Sequence, residues 1–124
     1  HSVSFVGNVH EGPHSLRGTN SVLMRPGMVV TDEPGVYETD LVGIRIENEL
    51  VCVHKADNQY GTFLGFEPLM FVPIATSPIV PGVLDKDEIA WLNSYHRQVF
   101  AKLAPHLNDE ERVWLAEKCA AIGC

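Results

Sequence analysis

Two kinds of hydrophobic periodicity divide the chain near residue 84. Before that point, apolar residues form β-branched-rich or alternating runs at 28–31, 42–53 and 62–74, separated by turns rich in Gly and Pro. Such runs predict strands, and each Pro within the last run predicts a sheet edge or a bulge. The sequence therefore predicts a β-rich part over residues 1–84.

The remainder, residues 85–124, has helical spacing. Asp85 and Asn108 are each followed three positions later by Glu, which is the capping-box pattern at the start of a helix. Apolar residues recur every three or four positions after the first cap: Ile89, Leu92, Tyr95, Val99 and Leu103. We predict helices over 85–104 and 109–121. The predicted fold class is α+β, a mostly antiparallel curved sheet followed by two helices.

Composition and charge narrow the function. The chain has 124 residues, 45% of them hydrophobic, and a formal net charge of −7. A negative charge argues against binding to the phosphate backbone of nucleic acids and against attraction to an anionic membrane surface. No apolar run approaches the roughly 18 residues of a membrane span. Three cysteines, Cys52, Cys119 and Cys124, fit no metal-binding spacing, and a reducing compartment suits them better than a disulfide framework.

Side chains that could bind a metal are concentrated in the first half of the chain. His1, His10 and His14 lie within the first 14 residues, and Glu33 and Glu47 are 14 residues apart on neighbouring predicted strands. Imidazole and carboxylate ligands together suit Mn, Fe, Co or Zn. A pair of carboxylates at one site could bridge two ions.

Each of these residues also has a structural interpretation. A single His in a Gly-rich loop is more often solvated than bound to a metal, and Glu33 before Pro34 could simply cap a turn. Glu47 lies in an apolar run, where a carboxylate needs a partner. Arg45 lies on the same strand face, so a structural Arg–Glu pair is about as probable there as a metal role.

The order and spacing of these residues along the chain resemble those of a known protein family. Five ordered segments resemble the aminopeptidase P family, the Xaa-Pro aminopeptidases of the pita-bread metallopeptidase fold, and look most like the long, cytosolic form. These segments are His1 to Pro13, Thr31 to Tyr37, Gly43 to Asn48, Phe66 to Leu69 and Trp91 to His96. The resemblance implies hydrolysis of the bond before a penultimate proline in peptide substrates.

The resemblance also implies a role for particular residues. The family holds two divalent ions, usually Mn²⁺, with two Asp, one His and two Glu. His1 matches the His ligand, and Glu33 and Glu47 match the two Glu ligands, with Glu33 also moving the proton. His10 matches a catalytic His that contacts the substrate near the scissile carbonyl. Arg45 matches the Arg that orients the metal-binding carboxylates, and Tyr37 matches a Tyr that lies next to the metal ligands.

The chain departs from the family pattern in ways that set the alternatives. Asp32 and Asp40 do not occupy the positions of the two Asp ligands, and Ser2 and Ser4 replace glycines. We therefore expect the C-terminal part of a cytoplasmic catalytic domain, inactive alone, that binds its missing N-terminal part and forms homo-oligomers. The alternative is a catalytically dead pita-bread domain that binds peptides or proteins. A third possibility is a plain structural or oligomerisation domain.

Overall fold

The computed structural model describes residues 6–123, which form two compact units that divide between Met70 and Phe71. The first, the β unit, holds all the strands of the described chain, and the second, the helical unit, holds both helices. The segment after Met70 belongs to the helical unit because Phe71 and Ile74 pack against its core. The division of one catalytic domain into parts 1–84 and 85–124 stays a prediction.

The strands of the β unit pair antiparallel throughout, in two sheets. In chain order they are β1 (Val29–Asp32), β2 (Gly35–Glu38), β3 (Val42–Arg45), β4 (Asn48–Asn58) and β5 (Gly61–Pro68). One sheet has the order β1-β4-β5 and the other pairs β2 with β3. In the stretch 62–74, for which strand structure is predicted, β5 ends at Pro68. The N–H of Leu69 still donates to the carbonyl oxygen of Glu49 at 2.7 Å, and the residues from Phe71 onward belong to the helical unit. The α+β fold class is confirmed, with strands first and helices last.

The two sheets are consecutive parts of one long hairpin. Asp32 pairs with Asn48 in the first sheet, and Gly35 pairs with Arg45 in the second. The same register therefore continues across the two-residue gap in each arm. The core of the β unit is small. Among the described residues of this unit, the buried hydrophobic residues are Val30 and Cys52 alone. The prediction of a buried thiol at Cys52 is therefore confirmed.

The helical unit contains α1 (Lys86–Leu103), a 3-10 turn and α2 (Asp109–Lys118). Both predicted capping boxes are present, at Asp85 and Asn108. The helices bury one side chain cluster between them: Tyr95, Val99, Ala104 and Leu115. His96 is also fully buried on α1. Among residues 6–123, no helix is both long and apolar enough to cross a membrane.

Candidate functional site

The gap between the two sheets brings the candidate carboxylates together. The N–H of Ile46 donates to the carbonyl oxygen of Pro34 at 3.2 Å, so the two arms of the hairpin stay paired through the gap. In this register Glu33 lies directly opposite Glu47. Residues opposite each other on an antiparallel pair project from the same face. The register therefore places the Glu33 and Glu47 side chains on the same face of the hairpin.

Glu33 is the centre of a network of side chains. Its Oε1 accepts a hydrogen bond from the Thr31 hydroxyl at 2.7 Å, and its Oε2 accepts one from Arg45 Nη1 at 2.7 Å. The same Arg45 nitrogen donates to the Glu33 carbonyl oxygen at 2.6 Å. His10 Nδ1 lies 3.6 Å from Glu33 Oε1. The Glu33 side chain is only 20% exposed, so these contacts fix the direction of a largely shielded carboxylate.

Tyr37 contacts this network through the guanidinium group of Arg45. The guanidinium carbon of Arg45 lies 5.6 Å from the centre of the Tyr37 ring, within the range of a cation–π contact. A Cβ placed at Gly35 would lie 2.8 Å from the Tyr37 hydroxyl, and one at Gly43 would lie 3.0 Å from the ring. The two glycines therefore let the Tyr37 ring lie close against the hairpin, where it contacts the arginine that holds Glu33.

The loop before β1 forms the other wall of a cavity of about 670 Å³. His10 and His14 line it from the loop, and Thr31, Glu33 and Arg45 line it from the hairpin. The cavity is thus lined by imidazole, carboxylate, hydroxyl and guanidinium groups. Such a concave site with a few convergent polar groups is typical of a small-ligand pocket.

The structure gathers most of the predicted site residues. Glu33, Arg45 and His10 are in contact, and Tyr37 contacts Arg45. His1 lies outside the described residues. The roles of the predicted site residues as metal ligands or catalytic groups stay predictions. Thr31 is a further residue of the site that was not predicted, although its position two residues before Glu33 in an extended segment places both side chains on the same face.

The donor set fits a divalent metal ion as part of a larger ligand shell. Glu33 and Glu47 are carboxylates at opposite positions of the hairpin register, and Glu47 Oε1 is shielded from solvent. Oxygen and imidazole donors suit Mn and related ions. Residues 6–123 alone contain no group of three or more His, Cys, Asp or Glu side chains arranged to hold a metal ion. A complete metal site at this place therefore needs ligands beyond those described.

Three pKa shifts lie outside this cluster. A hydrogen bond from the Thr62 hydroxyl, with a second from His54, lowers the pKa of Asp57 on the β4–β5 hairpin. Burial lowers the pKa of His96. Burial also raises the pKa of the Cys119 thiol, which makes this cysteine a poor nucleophile at neutral pH.

Comparison with known proteins gives a consistent pattern. Metallopeptidase family M24 matches residues 1–54, and the C-terminal region of peptidase M24 matches residues 62–122. Aminopeptidase P2 of Arabidopsis thaliana is 46% identical over 86% of this chain and 16% of its own length. Xaa-Pro aminopeptidase app-1 of Caenorhabditis elegans is 41% identical over 98% of this chain and 21% of its own length.

A solved structure extends the similarity to the fold. The X-prolyl aminopeptidase of Caenorhabditis elegans, described as a cytosolic enzyme with a di-nuclear active site, superposes with a TM-score of 0.77 and 39% identity. The match covers 93% of this chain and 20% of the solved chain. The chain therefore spans about a fifth of the length of the relatives it matches.

Proposed function

Because the chain belongs to metallopeptidase family M24, we propose that it forms the C-terminal part of the catalytic domain of a metal-dependent Xaa-Pro aminopeptidase. Its substrates are peptides with a penultimate proline, from which it releases the first residue. The observation that carries the proposal is the placement of Glu33 opposite Glu47, with Arg45 bonded to Glu33. A pair of carboxylates at one site can hold two metal ions, which is the arrangement of a two-metal hydrolytic site.

The proposed metal ligands are His1, Glu33 and Glu47, completed by two Asp from a further segment of the protein. Mn²⁺ suits these hard oxygen and imidazole donors. When bound, the two ions would polarise the scissile carbonyl and lower the pKa of water. The di-nuclear site of the solved relative supports two ions instead of one.

The other residues act around that centre. Glu33 accepts and returns the proton during hydrolysis, and the hydrogen bonds of Thr31 and Arg45 keep its carboxylate in one direction. His10, beside Glu33 in the same cavity, donates to the substrate oxygen on which negative charge develops, and such donors contribute about 10²–10³ in rate. Tyr37 keeps Arg45 against the hairpin.

We further propose that the 124-residue chain alone is inactive, that the whole enzyme acts in the cytoplasm, and that it forms homo-oligomers. Inactivity follows from the donor count, since two carboxylates and one imidazole leave the second ion short of ligands. The cytosolic description of the solved relative supports the location.

Metal titration tests the proposal. Mn²⁺ binding is measured by calorimetry on the 124-residue chain and on the chain joined to the segment that precedes it in its full-length gene. We expect tight binding of two ions and cleavage of an Arg-Pro-Pro peptide only for the longer protein. Glu47→Gln should abolish both, whereas Glu67→Gln, a carboxylate of the same sheet that pairs with Lys55, should not. Peptide binding by the longer protein without metal or cleavage would instead favour the catalytically dead alternative.

A further inference from the structure

The loop over residues 8–20 contacts the chain around β1 at two places, one at Val29 within the strand and one at Glu33 directly after it. His14 Nε2 donates to the carbonyl oxygen of Val29 at 2.8 Å. His10 Nδ1 lies 3.6 Å from Glu33 Oε1. The two histidines are four residues apart, and so are their two partners, in the opposite direction along the chain. The loop therefore runs antiparallel to residues 29–33, with His14 at the first of them and His10 at the last.

The position of β1 explains why Val29 can accept this bond. Within the described residues, β1 is at one end of the β1-β4-β5 sheet. On such a strand, alternate carbonyl groups point away from the neighbouring strand. His14 uses one of them, and because a carbonyl oxygen only accepts, Nε2 carries the proton. The second ring nitrogen, Nδ1, is shielded from solvent, and the His14 residue is half-buried.

The loop is also bonded within itself. Asn20 Nδ2 donates to the carbonyl oxygen of Pro13 at 3.0 Å and to the hydroxyl of Ser15 at 2.7 Å. These two acceptors flank His14. The bonds fix the backbone that carries His14, and His14 in turn connects that backbone to the sheet.

His10 depends on this backbone for its location. Its side chain is 63% exposed, so burial contributes little to its orientation. We propose that His14 is a positioning residue: its bond to Val29 holds the loop along β1 and thereby keeps His10 beside Glu33. The catalytic consequence rests on the proposed function, whereas the placement of His10 does not.

The test uses imidazole ¹⁵N spectra of the 124-residue chain at one pH. Glu33→Gln should move the His10 ring signals, which measures the His10–Glu33 contact. In a His14→Gln background this change should persist, because the Gln amide places a donor near the position of Nε2. In a His14→Asn background, the change in the His10 ring signals should be lost, because the Asn side chain is too short for its amide to reach the Val29 carbonyl oxygen.

Two outcomes would overturn the proposal. One is an unchanged response of His10 to Glu33→Gln in the His14→Asn chain. The other is loss of the backbone amide ¹⁵N signals of Val30 and Cys52 in both His14 variants. That loss would show that the sheet itself is disrupted and that His14 is a purely structural residue. In the completed enzyme, we expect His14→Asn to lower kcat about ten- to hundredfold more than His14→Gln does, as small misplacements of a catalytic group do. If the completed enzyme does not cleave Xaa-Pro peptides, the proposed function fails while the spectra still decide the role of His14.

Discussion

The buried histidine of the helical unit should make that unit sensitive to acid. His96 has 0% exposure, and its Nε2 accepts the backbone N–H of Ile74 at 3.1 Å, so the ring is neutral with its proton on Nδ1. Protonation would set a second N–H against that of Ile74 and bury a positive charge. Burial accordingly lowers the pKa of His96 below its usual 6.5 in the folded chain.

The sign and size of the effect follow from proton linkage. Below pH 6.5 the unfolded chain takes up a proton at His96 that the folded chain refuses, so acid favours unfolding. The free energy of unfolding should fall with a slope of at most about 1.4 kcal/mol per pH unit as the pH drops below about 6.5, until the lowered folded pKa is reached. Above that range the contribution of His96 is constant.

A variant that keeps the acceptor but does not titrate isolates this contribution. In His96→Gln, the amide oxygen can accept from the N–H of Ile74. Urea unfolding followed by tryptophan fluorescence reports on the helical unit, since both tryptophans, Trp91 and Trp114, belong to it. The wild-type chain should lose stability relative to the variant between pH 6.5 and 5. Parallel pH dependences of the two proteins would refute the reasoning.

Three further predictions concern packing and surface chemistry. Leu115→Ala should lower the free energy of unfolding by about 2–5 kcal/mol, because Leu115 is 1% exposed in the helical core, whereas Val113→Ala on the exposed side of α2 should stay within about 0.5 kcal/mol in urea titrations. Thr62→Val should raise the pKa of Asp57, measured by carboxyl ¹³C shifts, and an unchanged midpoint would contradict the assigned cause. The isolated chain should self-associate through its exposed β5 residues such as Phe66, and light scattering that shows a 13.7 kDa monomer at high concentration would exclude this.

Local patterns in the sequence were sufficient for the helices. Each capping box joins residues three apart, so Asp85 and Asn108 mark helix starts without knowledge of the rest of the fold. The predicted ends were less accurate. The first helix stops at Leu103 because Pro105 lies in a 3-10 turn, and the second stops at Lys118, three residues before its predicted end. The position at which a helix ends depends on packing against the rest of the fold, and the periodicity of the sequence carries no information on that packing.

The sequence also determined which residues to consider at the site, since carboxylates in apolar runs and clustered histidines are visible without a structure. Only the tertiary structure decided how they meet. Glu33 faces Glu47 because the hairpin keeps one register through its gap, and strand register is a long-range property that single-residue patterns do not specify. The bonds from His14 to Val29 and from Ile74 to His96 join residues 15 and 22 positions apart, and such contacts form only when separate segments pack together.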